Sequence, residues 1–484
     1  MEILESNKGG DKLCVGGYLY TKHKPVASGT RWRCVRRRTG CKGAVVCSGE
    51  GGDDCRVSAS HDHPPDSGAV NIAKARCRMK NMAMSSTERP AAIVAQATVC
   101  LTAGEKTLLI CEDSLKRCVR AQRSSIYPPQ PASLRELIID GDWALTSGST
   151  PERFLIYDNG PDAENRLVVF AAVSGLRLLS ESTLWFMDGN FDVAPKLFKQ
   201  LYFILAPLGD SAVSVVYAFM TSKTQEAYEE LFQAVVDACS AQGMMPSPDV
   251  VITDFEKGAM NAVKAILGEE VQTRGCFFHL CQSTYSKIQQ LGLASRYQDD
   301  EDFRHFIGML DGLAFLPLDD VEAGMNFVKA VAPEGVEAVI AYFDETYVNG
   351  TYRHVGRLDE NPRIRRTPPR FPPEVWNVHE ATLEGGARTN NHSEAWNRRF
   401  SSLVGHSHPT VWRAIATLRL EHSAVEGKMT QSLAGAPPAK RQRTTTLQLQ
   451  ERLRRLCQDF VDDRRTLESF LRGVGHAVRL RART

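Results

Sequence analysis

The feature that most constrains this chain is an apolar run that ends in an acid: Leu184, Trp185, Phe186, Met187, Asp188, Gly189, Asn190, Phe191. Four apolar residues in succession predict a strand buried on both faces. A carboxylate carried into such a sheet is costly unless it is paired or holds a cation. A second stretch repeats the design: Val250, Val251, Ile252, Thr253, Asp254, Phe255, Glu256, Lys257. Here β-branched residues lead into an aspartate, and a helix is expected at the next turn. Two strands that each deliver an Asp can place both carboxylates on one divalent metal, and hard oxygen ligands suit Mg²⁺ or Mn²⁺. The competing reading is that each Asp only caps the helix or turn that follows it.

The elements around these strands fit a mixed α/β core. Phe154–Tyr157 and Arg166–Phe170 read as a hairpin pair, and a short helix near 174–180 leads into the Asp188 strand. Leu201–Ala206 and Ser214–Phe219 continue an antiparallel meander. An amphipathic helix over 224–239 then precedes the Asp254 strand, a helix near 258–267 and a last strand at Thr273–His279. This order, with acids on the first and fourth main strands, is that of a ribonuclease H-like core. A two-metal centre in such a core needs a third carboxylate. Glu394 is the candidate, with Glu384 as its nearest rival. Asn390, Asn391, Glu394, Asn397 and Arg398 are linked by steps of three and four and share one helix face; the plainer reading is an exposed polar face with Trp396 and Phe400 turned inward.

The gap between His279 and Glu394 is too long for a loop in a compact domain. Phe303, Phe306, Ile307 and Leu310, then Met325, Phe327, Val328, Val331, Val336, Val339, Ile340 and Phe343, recur at helical spacing. They predict an all-α insertion over about 295–385. Residues 357–374, with Arg357, Arg363, Arg365, Arg366 and Arg370, read as a basic irregular connector, either against DNA backbone or simply a loop.

The N-terminal 66 residues have a different character. Gly17–Thr21, Thr30–Val35 and Lys42–Cys47 alternate like short strands. So small a unit needs a staple, and Cys34, Cys41, His61 and His63 supply the donors of a closed tetrahedral Zn²⁺ site. Cys14, Cys47 and Cys55 are spare thiols. Arg31, Arg33, Arg36, Arg37, Arg38 and Lys42 form a local basic patch near Trp32 and Tyr20, which suits phosphate contacts or is a solvated face. Residues 67–136 read as helical, with a start at Thr87-Glu88-Arg89-Pro90 and an apolar face of Ala92, Ile93, Ala95, Val99 and Cys100. Lys116, Arg117, Arg120 and Arg123 line a later helix. The segment is either a DNA-binding module or a spacer, and Tyr127–Pro131 ends it as a linker.

A formal net charge of +2 means that any nucleic-acid surface is local. No apolar run approaches the roughly 20 residues of a membrane helix, and no signal peptide is expected. With 13 scattered Cys, reduced thiols and metal ligation are expected over a disulfide framework. Residues 426–484 read as a polar basic tail, with a localisation-type patch at Lys440-Arg441-Gln442-Arg443 and a final helix over Leu447–Leu471.

Two resemblances join these readings. Gly17-Tyr18-Leu19-Tyr20, Trp32-Arg33-Cys34, Cys41-Lys42-Gly43 and His61-Asp62-His63 resemble a FLYWCH zinc finger, which implies DNA or protein binding. Asp188-Gly189-Asn190-Phe191, Thr253-Asp254, Cys276-Phe277-Phe278-His279 and Thr389-Asn390-Asn391-His392-Ser393-Glu394 resemble the catalytic blocks of Mutator-like DDE transposases over roughly 137–425. That resemblance makes Asp188, Asp254 and Glu394 the acidic triad, with Asn190 where Thr is commoner, and Cys276 and His279 a Cys-x-x-His element, either zinc-binding or a packing and DNA-positioning pair. It implies a transposase that cleaves and joins transposon ends in double-stranded DNA; the Lys440–Arg443 patch adds the expectation of a nuclear protein, and whether it works as a homo-oligomer on DNA stays open in the sequence. The alternative is a domesticated DNA-binding or regulatory protein that no longer cuts.

Overall fold

The computed structural model describes residues 2–5, 10–48, 54–86, 88–355, 363–435 and 444–478, and its contacts divide into two units, Met1–Gln130 and Pro131–Thr484. The first unit opens with six antiparallel strands, each paired with the next: β1 (Glu2–Glu5), β2 (Asp11–Val15), β3 (Tyr18–Val26), β4 (Gly29–Cys34), β5 (Ala44–Ser48) and β6 (Asp54–Ala59). The sequence expects β3, β4 and β5; the other three are short and polar and give no clear alternation. Leu13, Tyr20, Trp32, Val45 and Cys47 fill one face of the sheet. Trp32 and Tyr20 therefore belong to the core and not, as expected, to the basic surface.

One expectation about cysteine is overturned. Cys47 and Cys55 face each other in register across β5 and β6 and form a disulfide. Direct cross-strand partners lie close enough for the bond, so these two are neither free thiols nor spare metal ligands. Four helices follow: α1 (Ser67–Ser85), α2 (Pro90–Thr98), α3 (Ala103–Thr107) and α4 (Glu112–Ser124). Asp66 caps α1 through the Ala69 N–H, and Pro90 opens α2 as its sequence predicts. The buried face of α2 is Ile93, Val94, Ala97 and Thr98, leaving Ala95, Val99 and Cys100 outside. The expected face was wrong because α1 and α4 approach from the Ile93 side with Met79, Ala83, Leu115 and Val119.

The second unit is built on a seven-stranded sheet. Its elements run β7 (Leu155–Asp158), β8 (Leu167–Ala171), α5 (Val173–Glu181), β9 (Leu184–Asn190), β10 (Gln200–Leu208), β11 (Ser211–Met220), α6 (Gln225–Ser240), β12 (Val250–Thr253), α7 (Lys257–Leu267) and β13 (Gln272–Gly275). The spatial order is β13-β12-β9-β10-β11-β8-β7. From β9 to β7 every neighbour is antiparallel, whereas β12 runs parallel to β9, and β13 to β12. Alternation along β10 sends Tyr202 toward Tyr228 of α6 and Phe203 toward Trp396 on the opposite face. Residues 276–279, expected to prolong the last strand, instead open a helix.

That helix, α8 (Phe277–Gln290), leads into α9 (Ala294–Asp299), α10 (Glu301–Gly312), α11 (Val321–Ala330) and α12 (Glu337–Phe343). Their core holds Phe303, Phe306, Ile307, Leu310, Met325, Val328, Val339 and Phe343, as the helical spacing predicts. The connector expected to be irregular contains β14 (Thr351–Val355) and β15 (Arg363–Thr367), a two-stranded antiparallel sheet. Then come α13 (Pro373–Trp376), α14 (His379–Leu383), α15 (Asn391–Val404), α16 (Val411–Leu433), α17 (Thr444–Val461) and α18 (Leu467–Ala477). Helices α17 and α18, in the stretch expected to be a polar tail, are packed: Leu453, Leu456, Phe470, Leu471 and Val474 join the same core as α10. The expected localisation patch at 440–443 lies outside the described residues.

Candidate functional site

The register of the sheet sets two acids side by side. Ile252 pairs with Phe186 across parallel β12 and β9. Two residues further on come Asp188, still within β9, and Asp254, just past the end of β12, near enough for the charge of Asp254 to act on Asp188. Neither acid is a helix cap: Asp188 lies within β9, and the residue at the cap of α7 is Glu256. Asp188 is buried, and burial first, then the charge of Asp254, push its carboxyl up to about 7; Glu394 adds to the same effect. Its hydrogen bonds come from the Gly189 N–H at 2.8 Å and Asn397 Nδ2 at 3.1 Å. A Cβ on Gly189 would stand 2.6 Å from Gln200 Oε1, so a larger residue there would displace the Gln200 side chain.

Helix α15 brings the third acid. Asn390, at its start, donates from Nδ2 to the Met187 carbonyl at 2.9 Å, directly before Asp188. Asn190 Nδ2 donates to Asn397 Oδ1 at 2.8 Å, which turns the Asn397 amide so that its NH₂ faces Asp188. Asn190, the residue that departs from the family pattern, is thus part of this lattice. Glu394 lies one helical turn before Arg398, with which it pairs at 2.8 Å. Asn391 is exposed and Glu384 is exposed at the end of α14, so the support falls to Asn390 and Asn397.

Cys276 and His279 take separate parts. The Cys276 N–H donates to Thr253 O at 2.8 Å, and its thiol accepts the Asn390 N–H at 3.0 Å. Burial pushes this thiol up to about 11, so it stays neutral. It links the Asp254 strand to the Glu394 helix. His279 lies in the first turn of α8; burial pushes its imidazole below the ordinary range, against the opposing charges of Asp254 and Glu394. The sequence did not single out Glu256 as an acid of this cluster, yet burial and then Asp254 raise its carboxyl, and Lys223 pairs with it at 3.0 Å. Lys223 also lies 4.6 Å over the ring of exposed Phe191. No local pattern around Lys223 marks it; only the fold brings it here.

In the first unit, the ligand atoms of Cys34, Cys41, His61 and His63 all lie within 4.8 Å of one another, and no other Cys, His, Asp or Glu group among the described residues converges in this way. Cys34 and Cys41 are buried, and their sulfurs accept the backbone N–H groups of Arg36 and Gly43. His61 directs Nδ1 to the Cys41 sulfur at 3.4 Å and meets the Tyr20 hydroxyl through Nε2 at 2.8 Å. His63 directs Nε2 to Cys34 at 3.3 Å and donates from Nδ1 to the Pro64 carbonyl at 2.9 Å. Each imidazole thus has one nitrogen for a metal and one fixed by an outer partner, the arrangement of a structural zinc site. The residues fit zinc in donor type, number and orientation.

The basic patch is rearranged by the fold. Arg36 pairs with Asp66 at 2.6 Å beside the start of α1. Loss of hydration, then Arg33, Lys24, Arg31 and Arg37, lower the His23 imidazole, so these four cations gather round one point. Arg38 and Lys42 are exposed. Of the basic residues on α4, Arg123 donates to the carbonyls of Ala83, Ser86 and Glu88, and Lys116 pairs with Glu112 at 2.6 Å. Arg117 and Arg120 remain exposed.

Two family models match parts of the chain, one in each unit. Residues 184–283 match the MULE transposase domain, and residues 3–63 match the FLYWCH zinc finger domain. The first match includes Asp188, Asp254, Cys276 and His279 and stops short of Glu394, whose place rests on the fold. No curated protein matches the chain. The two domains point to a transposase-derived DNA-binding protein that carries zinc.

Proposed function

We propose that this chain is a DDE-type DNA transposase, which cleaves transposon ends and transfers the strands to new phosphodiester bonds. The observation that carries the reading is that Asp188 in β9 and Asp254, just past the end of neighbouring parallel β12, lie within reach of each other's charge, with Glu394 acting on Asp188 as well. The strand order supports a ribonuclease H-like core: a three-stranded antiparallel meander, β9-β10-β11, flanked on the β9 side by two parallel strands that follow helices. Three acids of one sign, one of them buried and pushed toward neutrality, fit hard divalent cations in charge and donor type. Asp188, Asp254 and Glu394 would hold Mg²⁺ or Mn²⁺. Such ions supply activation of an attacking water or 3′-hydroxyl and stabilisation of the leaving oxygen.

The chain's own residues do the rest. Asn397 and the Gly189 N–H orient the Asp188 carboxylate, while Asn390 and Cys276 hold the start of α15 against β9 and the end of β12. Arg31, Arg33, Arg37, Arg38, Lys42 and Lys24 would take DNA phosphates beside the zinc domain. A nuclear protein fits this reading, with the Lys440–Arg443 patch in its support, and joining two ends fits more than one copy on the DNA.

Cleavage of transposon-end DNA by the full chain with Mg²⁺ tests the reading. Asp188→Ala, Asp254→Ala and Glu394→Ala should each lower cleavage by at least about a thousandfold, and double changes should lose little more, because such groups act as a unit. DNA binding should persist, since phosphate contacts come from Arg and Lys. Glu384→Ala should cleave normally. Activity in the Glu394 variant with loss in the Glu384 variant would reassign the third acid. Full activity in all variants would leave a non-cutting DNA-binding protein as the better reading.

A further inference from the structure

Glu421 lies on α16, outside every motif named above, and is fully buried. Its Oε1 accepts from Ser214 Oγ of β11 at 3.0 Å and from Trp396 Nε1 of α15 at 3.0 Å, and the Arg399 guanidinium of α15 pairs with it. Its Oε2 has no hydrogen-bond partner among the described residues. A buried ion pair of this kind is often no more stable than apolar residues of the same volume. Stability alone is therefore a poor account of a carboxylate here.

Geometry gives a better one. Trp396 and Arg399 are three residues apart and share one side of α15. Glu394 and Asn397 are also three apart and share another. Two residues turn an α-helix by about 200°, so the side that Glu421 grips is opposite the side that faces Asp188. Phe203 packs on Trp396 at 3.9 Å between ring centres, and Phe400 stacks on it at 4.7 Å, which completes the grip on the back of the helix. A polar anchor at the back fixes rotation about the helix axis, which apolar packing alone leaves looser.

We infer that Glu421 is a positioning residue: by clamping the back of α15 to β11 and α16 it sets the rotation that carries Glu394 toward Asp188 and Asp254. The inference rests on the metal-binding reading of those acids. It is tested on the full-length chain by titration with Mn²⁺, followed through the electron paramagnetic resonance of the free ion. Glu421→Gln keeps the shape and an acceptor but loses the charge that holds Arg399. Half-saturation should need tenfold more Mn²⁺ or thereabouts, the usual range for a residue that orients a ligand. Combined with Glu394→Ala, it should add nothing to the effect of Glu394→Ala alone. A half-saturation unchanged within about twofold, or independent losses that add, would overturn the clamp.

Should Glu421→Gln fail to fold, Trp396→Phe removes only the Nε1 donor and is read in the same way, with a smaller shift in the same direction. If the unaltered chain binds no Mn²⁺ that Asp188→Asn removes, the metal reading falls and the clamp is judged by hydrogen exchange. Faster exchange over residues 391–397 in Glu421→Gln, with α6 unchanged, would then uphold it; unchanged exchange would sink it.

Discussion

Asp311 is a buried carboxylate with no cation beside it among its described partners. It lies on α10, accepts from Thr284 Oγ1 at 2.8 Å, and burial pushes its carboxyl up to about 7. Its ordinary value is 3.8. Between about 4 and 7 the folded chain holds a proton that the unfolded chain has released, so this group favours folding at low pH and loses that contribution as pH rises through 7. A shift of this size corresponds to roughly 4 kcal/mol. Asp311→Asn removes the effect: thermal unfolding should show the variant gaining on the parent by roughly 2–3 kcal/mol between pH 5 and pH 8. A gap that does not widen with pH would contradict this. The two buried acids also differ in how legible they are. Asp188 ends an apolar strand run and announces itself, whereas Asp311 sits within a helical run where nothing in the spacing separates it from a solvated acid. The ligands of the zinc site were legible for a like reason, because a small domain with few apolar residues leaves few accounts of Cys34, Cys41, His61 and His63.

Elements were read well where one period dominates. The strands β9, β10, β11 and β12 follow from unbroken apolar runs, and the helices α6 and α7 and the apolar face of α10 from a period of 3.6. Where several neighbours compete for a face, as on α2, spacing alone chose wrongly. The packing of α18 on α10 was not legible, because its signal is an absence of side chains. Gly308 and Gly475 meet there, and a Cβ on Gly308 would lie 2.4 Å from the Gly475 carbonyl oxygen. Backbone cannot give way as a flexible side chain can, so Gly308→Ala should destabilise the chain by about 1–3 kcal/mol. Gly427, on α16, meets nothing within 4 Å. Gly427→Ala should be neutral or stabilise by up to about 1 kcal/mol through helix propensity. Urea unfolding of the two variants checks both signs; equal effects would mean that the helix crossing is not tight.

At the scale of the whole molecule, the division of the chain makes its own prediction about the zinc domain. The sequence suggests a boundary near residue 66, where the last ligand, His63, has just passed. The structure covers Leu4, Cys14 and Leu19 of the sheet with Val70 of α1, and Ala69, Ala73 and Cys77 pack on the same cluster. Lys74 also pairs with Glu2 of β1 at 2.5 Å. One face of the sheet is thus completed by residues beyond the suggested boundary. A fragment of residues 1–66 should still bind zinc, because all four ligands are present, but it should be less stable than 1–130 by at least about 2 kcal/mol, the value of one buried aliphatic side chain. A strong chelator should unfold the β-sheet in both fragments, since zinc binding supplies folding energy directly. In 1–130, α2 and α4 should outlast the sheet, because Ile93, Val94, Leu115 and Val119 form a cluster of their own. Circular dichroism with and without chelator separates these outcomes. Equal stability of the two fragments would mean that α1 covers the sheet without holding it, and a sheet that persists in chelator would remove zinc as its staple.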